Sequence, residues 1–194
     1  MDDQEQPIRD ALARGTTADA AATLLGLFRS ELFAYALWLA RTERYAEIAY
    51  WDVEERVRTE LGGFAWGVSA RAWGHAVVRE TVRTVEVRQP VLSVVFDPVT
   101  HEPRAPHRKF VFAEHAEQSE LLRLPRLRFS HEDQELLLLR WGRRLPWREI
   151  AFVLGRPATA VAGIDDEGER LRAHFRVLKE RAAFFKEELR RRPS

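Results

Sequence analysis

The segment FSHEDQELLLLRW, residues 129–141, is followed after a short gap by PWREIAFVLG, residues 146–155. Ser130 fits a helix N-cap, because an acidic residue stands three positions later in a capping-box-like pattern. Pro146 fits the first turn of the second helix, and Gly155 fits its end. A short RPAT turn then leads into another helix, so this part of the chain predicts a helix-turn-helix.

The helix after that turn carries a long apolar seam with alternating steps of three and four residues. Its members are Val161, Ile164, Gly168, Leu171, Phe175, Leu178, Ala182, Phe185 and Leu189. This spacing is a heptad pattern, which predicts one continuous helix with a buried stripe. The stripe either packs on helices of its own module or pairs with a second chain or a partner helix.

The start of this helix is acidic, with Asp165, Asp166, Glu167 and Glu169 within five positions. Acidic side chains near a helix N-terminus stabilise the helix, but they repel phosphates at short range. Reading bases in the major groove needs Arg, Lys, Asn or Gln near the helix start, and here only Thr159 can form hydrogen bonds. We therefore expect this helix start to be turned away from DNA.

The N-terminal part shows helical periodicity in three stretches, over residues 20–40, 43–61 and 64–85. The third stretch is apolar on two faces, which is typical of a helix inside a bundle. A three-helix or four-helix bundle over residues 20–87 is the prediction.

Prolines then gather over residues 88–128, so a long helix is not expected there. Two β-like runs, PVLSVVF at 90–96 and RKFVF at 108–112, flank a stretch rich in turn formers, so either a β-hairpin or an extended linker fits. The predicted fold class is all-α: an N-terminal helical bundle (20–87), a Pro-rich linker with a possible β-hairpin (88–128) and a helix-turn-helix domain (129–190).

Composition narrows the classes of function that the protein could have. The chain has no cysteine, a net charge of +1 and no apolar run of membrane-spanning length, so we expect a cytoplasmic protein without a membrane partner. Four histidines have spacings that match no compact metal motif: His101, His107, His115 and His131. No phosphate-binding glycine loop or catalytic set is recognisable, so we expect no enzyme activity, metal or cofactor.

The run EDQELLLLRWGRRLPWREIAFVLGRPATAV, residues 132–161, resembles the fourth region of bacterial RNA polymerase sigma factors of the extracytoplasmic-function group. The likeness covers a Leu-rich helix, the aromatic-x-Glu-Ile-Ala core and the Leu-Gly-x-Pro turn. LFRSELFAYALWLARTERYAE, residues 27–47, looks like the opening of the second region of that group. The resemblance implies RNA polymerase core as a partner, with promoter opening by the first module and promoter recognition by the second.

Two departures bear on that implication. After Ala46 and Glu47 the family places acidic, apolar and amide residues that bind the polymerase clamp, but here the chain reads IAYWD. Acidic residues also replace the family's basic recognition residues, so we expect weakened binding to promoter DNA. The alternative is a degenerate sigma-like module that binds a protein, such as an anti-sigma factor, or dimerises. A helix-turn-helix regulator of another kind is a third possibility.

Candidate site residues fall into two sets. The first set could bind DNA and consists of six arginines and one threonine, although the arginines could instead form solvated faces and ion pairs. Its members are Arg140, Arg143, Arg144, Arg148, Thr159, Arg170 and Arg172. Trp51 is predicted opposite the buried side of its helix, so it is either an interface anchor or a residue covered by the linker. The partner-interface set is Glu47, Trp51, Glu55, Arg58, Asp165, Asp166 and Glu167.

Overall fold

The computed structural model describes residues 3–95, 129–155 and 161–190, with side chains described over 4–85, 129–155 and 166–181. Every regular element within these residues is helical, so the part of the chain that is described belongs to the all-α class. The chain divides into two compact units, Met1–Arg108 and Lys109–Ser194.

The described part of the N-terminal unit holds four α-helices. They are α1 (Gln6–Ala13), α2 (Thr17–Ala40), α3 (Glu43–Glu60) and α4 (Ala70–Val95), with short 3-10 turns at Asp3–Glu5 and Leu61–Gly63. Helix α2 packs against the other three helices, and α3 also packs against α4. Leu24, Leu32 and Tyr35 of α2 are fully buried, because this central helix has neighbours on several sides.

The predicted helices over 20–40 and 43–61 are confirmed to within three residues by α2 and α3. The Thr42 hydroxyl caps α3 by accepting a hydrogen bond from the Tyr45 amide at 3.4 Å. The predicted start of the third helix at Phe64 is wrong. Helix α4 begins at Ala70, since Trp66 adopts a φ of 52°, a left-handed backbone conformation that interrupts a helix.

Helix α4 runs on to Val95, past residue 87, where the bundle was predicted to end. The prediction of an extended run over 90–96 is therefore wrong for residues 90–95. Extending an existing helix costs far less than nucleating one, so an established helix can overcome local β propensity and one proline. The second run, RKFVF at 108–112, lies outside the described residues, as does most of the predicted linker.

Glu5 joins the first residues of the unit to the start of α4. Its buried carboxylate accepts hydrogen bonds from the amides of Ala70 and Arg71, both at 2.9 Å. These amides belong to the first turn of α4 and have no partner within the helix. The acidic residue therefore satisfies two buried donors and complements the positive end of the helix dipole.

We expect Glu5→Gln to lower the free energy of unfolding by about 2 kcal/mol. Glutamine keeps one acceptor oxygen, but it loses the charge and leaves one α4 amide facing an NH₂ group. Urea denaturation of the full chain measures the effect. Asp10→Asn is the matched control, because it makes the same chemical change on the exposed side of α1. Equal stability of the two variants would contradict a capping role for Glu5.

A partly buried polar cluster links α2 to α4. Arg71 donates to Glu31 through Nε at 2.9 Å and Nη2 at 2.7 Å, and His75 Nε2 lies 3.2 Å from the same carboxylate. The Nδ1–H of fully buried His75 donates to the Arg71 carbonyl at 2.9 Å. Burial alone would raise the pKa of Glu31, but the hydrogen bonds and positive charges of His75 and Arg71 outweigh it and lower that pKa to about 2.

The C-terminal unit is described in four helical segments. They are α5 (His131–Leu137), a π-helical segment (Leu138–Gly142), α6 (Trp147–Val153) and α7 (Val161–Arg190). The predicted cap at Ser130 is confirmed, since its hydroxyl accepts from the Asp133 amide at 3.1 Å. The predicted stop at Gly155 is also confirmed by its φ of 68° at the end of α6.

The apolar seam of α7 packs, where its side chains are described, within the C-terminal unit. Gly168, Leu171 and Leu178 are buried, and Phe175 is half-buried with edge-on ring contacts to Trp141 and Trp147. A Cβ atom at Gly168 would lie 3.4 Å from the Trp147 backbone, so the small residue permits close approach of α6. The middle of the seam therefore matches the intramodular alternative. The seam side chains at both ends lie outside the described residues.

Helix α2 is also long and apolar enough to span a membrane by length and composition alone. In the structure 56% of its most apolar window is buried inside the unit. A core helix of a soluble protein passes the same test of length and composition, so this helix is weak support for a membrane span.

Candidate functional site

The first candidate surface lies on α3 of the N-terminal unit. Val53 and Val57 are fully buried, and Trp51 on the other side of the helix is 53% exposed. The predicted outward position of Trp51 is therefore confirmed. Glu47, Glu55 and Arg58 lie one or two turns from Trp51 along the same side, as the helical repeat requires. We call Glu47, Trp51, Glu55 and Arg58 the Trp51 face.

Ion pairs determine how much positive charge this face presents. Glu54 is buried beneath it and binds Arg29 at 2.5 Å and Arg58 at 3.2 Å. Arg58 also lies 3.6 Å from Glu55, so its charge is shared between two carboxylates. Glu47, Asp52 and Glu55 lie on or beside this face, against Arg58 and exposed Arg44 two turns before Trp51. Because the charge of Arg58 is largely neutralised, the face is acidic on balance.

Tyr50, the neighbour of Trp51, is a structural residue. Its hydroxyl donates to the Arg29 carbonyl at 3.1 Å, and its ring meets Phe33 edge-on. Burial and the nearby Glu54 charge raise the pKa of Tyr50 above its ordinary range. Two adjacent aromatic residues thus have different positions: Tyr50 fixes α3 on α2, and Trp51 is left at the surface.

The second candidate surface was predicted from arginines of the C-terminal unit, and the structure separates them. Arg140 donates to the Leu145 carbonyl at 2.9 Å, and its guanidinium lies 4.8 Å from the centre of the Trp147 ring. Arg143 is buried and Arg148 is half-buried. Arg144 alone of these four is exposed, with a φ of 55°. The four arginines therefore do not project together from one surface.

The two arginines of α7 are exposed. Arg170 lies 3.5 Å from Glu167 and Arg172 lies 3.4 Å from Glu169. Exposed pairs at such distances contribute little, so both cations remain accessible to solvent. Asp166 is exposed and Glu167 is half-buried. Thr159 and the side chain of Asp165 lie outside the described residues.

Two features of the C-terminal unit had no place in the predicted site. Trp141 is 40% exposed. His174 Nε2 lies 2.6 Å from Asp133 and joins α7 to α5. Burial alone would raise the pKa of Asp133, but its hydrogen bonds with His174 and Ser130 outweigh it and lower that pKa. Of the four histidines whose spacing matches no metal motif, only His131 is described; it is exposed and begins α5, so the expectation of a loop histidine is wrong there.

No model of a known protein family matches this chain, and no curated protein matches it.

Proposed function

We propose that this protein acts in transcription as a divergent sigma-factor-like protein that works through RNA polymerase in the cytoplasm. In this proposal α1 to α4 form the module that docks on the polymerase, and α5 to α7 form a helix-turn-helix module. The likeness of residues 132–161 to the fourth sigma region is the basis of the assignment. The exposure of Trp51 is the observation that supports docking on the polymerase.

The local geometry of the C-terminal unit supports the assignment. Ser130 caps the first helix, Gly155 ends the second with a positive φ, and α7 packs against both α5 and α6. A helix-turn-helix joins two helices by a short turn that often contains glycine, and α6, Gly155 and α7 follow one another in this order.

The N-terminal unit supports docking on a protein. A tryptophan that is about half exposed on a charged helix surface is a typical interface anchor, since it can bury a large ring at low entropic cost. The acidic residues of the Trp51 face favour a basic partner surface, which a guanidinium could approach both by ion pairing and by stacking on the ring.

We expect Trp51→Ala to weaken binding to RNA polymerase core at least tenfold, as loss of a hot-spot tryptophan does. Folding stability should change by less than about 1 kcal/mol, because surface substitutions away from buried features have small effects. Binding is measured by surface plasmon resonance on immobilised core enzyme. Leu27→Ala is the matched control, since Leu27 is an apolar α2 residue with similar exposure of 47%.

Run-off transcription with core polymerase tests the function itself. Promoter-dependent transcripts that require Trp51 would support it, and the absence of any binding to core enzyme would contradict it. A stability loss above about 2 kcal/mol in Trp51→Ala would instead mark Trp51 as a packing residue.

A second candidate is a sigma-like module that binds a protein, or a second copy of itself, without recognising promoters. The positions of Arg140 and Arg143 favour it. Arg140 donates to the Leu145 carbonyl in the turn after the π-helical segment, and Arg143 is buried, so neither cation is fully available to phosphates. Binding to core polymerase without run-off transcripts distinguishes this candidate from the first.

A further inference from the structure

Trp141, in the π-helical segment, packs against α7. The ring centre is 5.3 Å from that of Phe175, with the planes at 77°, so Phe175 holds Trp141 edge-on. Trp147 contacts Phe175 from another direction at 5.2 Å. This aromatic cluster fixes the orientation of Trp141 while 40% of its surface remains open to solvent.

Exposed cations lie close in the chain to this aromatic cluster, along α7 and in the turn after the π-helical segment. On a helix, residues three and four positions from Phe175 are its nearest neighbours, and these positions include Arg172 and Lys179. Arg176 follows Phe175 directly, and all three are exposed. Arg144, three residues after Trp141 in the chain, is exposed as well. We call Trp141, Arg144, Arg172, Arg176 and Lys179 the Trp141 patch.

Two carboxylates moderate its charge. Glu169 pairs with Arg172 at 3.4 Å, and Glu180 is exposed on the outward side of α7. Both carboxylates are exposed to solvent, so an approaching polyanion can displace them at small cost. Four cations against two acidic groups leave the patch positive.

The acidic start of α7 reaches this patch at Glu169, which pairs with Arg172. Arg176 and Lys179 lie ten and thirteen positions after Asp166, which corresponds to about 15 and 20 Å along a helix. These separations exceed the Debye length of about 8 Å at physiological ionic strength, so the repulsion from Asp166 is largely screened at these two cations. An anionic ligand is therefore favoured at the Arg176 and Lys179 end of the patch.

We propose that the Trp141 patch binds single-stranded nucleic acid, with one base stacked on Trp141 and phosphates held by the cations of the patch. An exposed aromatic ring with adjacent cations is the arrangement by which proteins bind single strands without sequence preference. A duplex does not offer an unstacked base face to this ring. An acidic peptide would use the cations but gain little from Trp141. The proposal holds whether or not the protein acts through RNA polymerase.

The test is fluorescence anisotropy of a labelled oligothymidylate of about 12 nucleotides with the full chain, over a range of salt concentrations. Trp141→Leu should weaken binding by roughly fivefold to a hundredfold and leave the salt dependence unchanged, because it removes stacking and no charge. The triple variant Arg172→Gln, Arg176→Gln, Lys179→Gln should reduce the slope of log affinity against log salt by roughly 2.

The matched control is Arg14→Gln, Arg41→Gln, Arg83→Gln, which removes three exposed cations from the N-terminal unit and should retain the wild-type slope. Circular dichroism confirms that each variant is folded. If Trp141→Leu unfolds, the triple variant still tests the proposal, because its three substitutions are at exposed positions that leave the packing unchanged. Three results would overturn the proposal: no binding by the wild type, equal effects of both triple variants, or equally tight binding of a duplex or an oligoglutamate. No polymerase is present, so the outcome is independent of the transcription assays.

Discussion

Phe175→Asp is expected to unfold the C-terminal unit. The ring of Phe175 contacts both Trp141 and Trp147, so its removal breaks the packing of α7 against the π-helical segment and α6. Loss of a large aromatic side chain from a packed site costs about 3–5 kcal/mol, and the unpaired carboxylate adds a desolvation cost. Denaturant unfolding of the full chain, followed by tryptophan fluorescence and circular dichroism, measures the loss.

Val177→Asp provides the control for charge. It lies two residues further along α7 and is 51% exposed, so it introduces the same carboxylate into solvent. Its stability should remain within about 0.5 kcal/mol of the wild type. If Phe175→Asp kept both its stability and its mass in solution, the seam of α7 would not be buried in the way that the aromatic contacts indicate.

Acid is expected to weaken the N-terminal unit through Glu31. The pKa of this carboxyl is lowered in the folded protein to about 2 from an ordinary value of 4.5. A carboxyl with a lowered pKa in the folded state stabilises the fold above its unfolded pKa, and this stabilisation is lost as pH falls through the folded value. The expected window is therefore pH 4.5 to 2, with a loss of about 3 kcal/mol.

Glu31→Gln isolates this contribution from that of other carboxyl groups. At pH 7 the variant should be about 3 kcal/mol less stable than the wild type, and the difference should shrink towards zero near pH 2. Glutamine resembles a protonated glutamic acid, so the two proteins then present the same neutral group to Arg71 and His75. A difference in unfolding free energy that stays constant from pH 7 to 2 would show that the charge of Glu31 is not responsible.

The sequence was sufficient to predict the long, strongly periodic helices α2 and α3, because their apolar repeat continues through many turns. Helix α1 was not predicted, since eight residues carry too few repeats for a periodic signal. The start of α4 was misplaced because FAWGVS, residues 64–69, is as apolar as the helix that follows. Phe64 contacts both Trp66 and Trp73, so this aromatic cluster stabilises a non-helical segment through tertiary contacts that local sequence does not reveal.

The candidate sites show the same difference between regular helices, which the sequence predicts, and irregular segments, which it does not. The direction of Trp51 follows from its angle on a regular helix relative to Val53, so the sequence alone predicts its exposure. The direction of Arg140 depends on the π-helical segment and the turn that follows, in which Leu145 presents its carbonyl to the guanidinium. No regular repeat describes such a turn, so the sequence could not distinguish an arginine that binds the backbone from one that reaches into solvent.

The contact of Glu5 with the start of α4 has a consequence for synthesis on the ribosome. The two partners are 65 and 66 positions apart in the chain, so the carboxylate has no amides to bind until Ala70 and Arg71 have left the exit tunnel. Contacts between distant positions form late and slow folding, because a long loop must close first. Glu5 thus reaches its final partners only after Ala70 and Arg71 have been synthesised, and nascent chains that stop before Ala70 leave Glu5 without them.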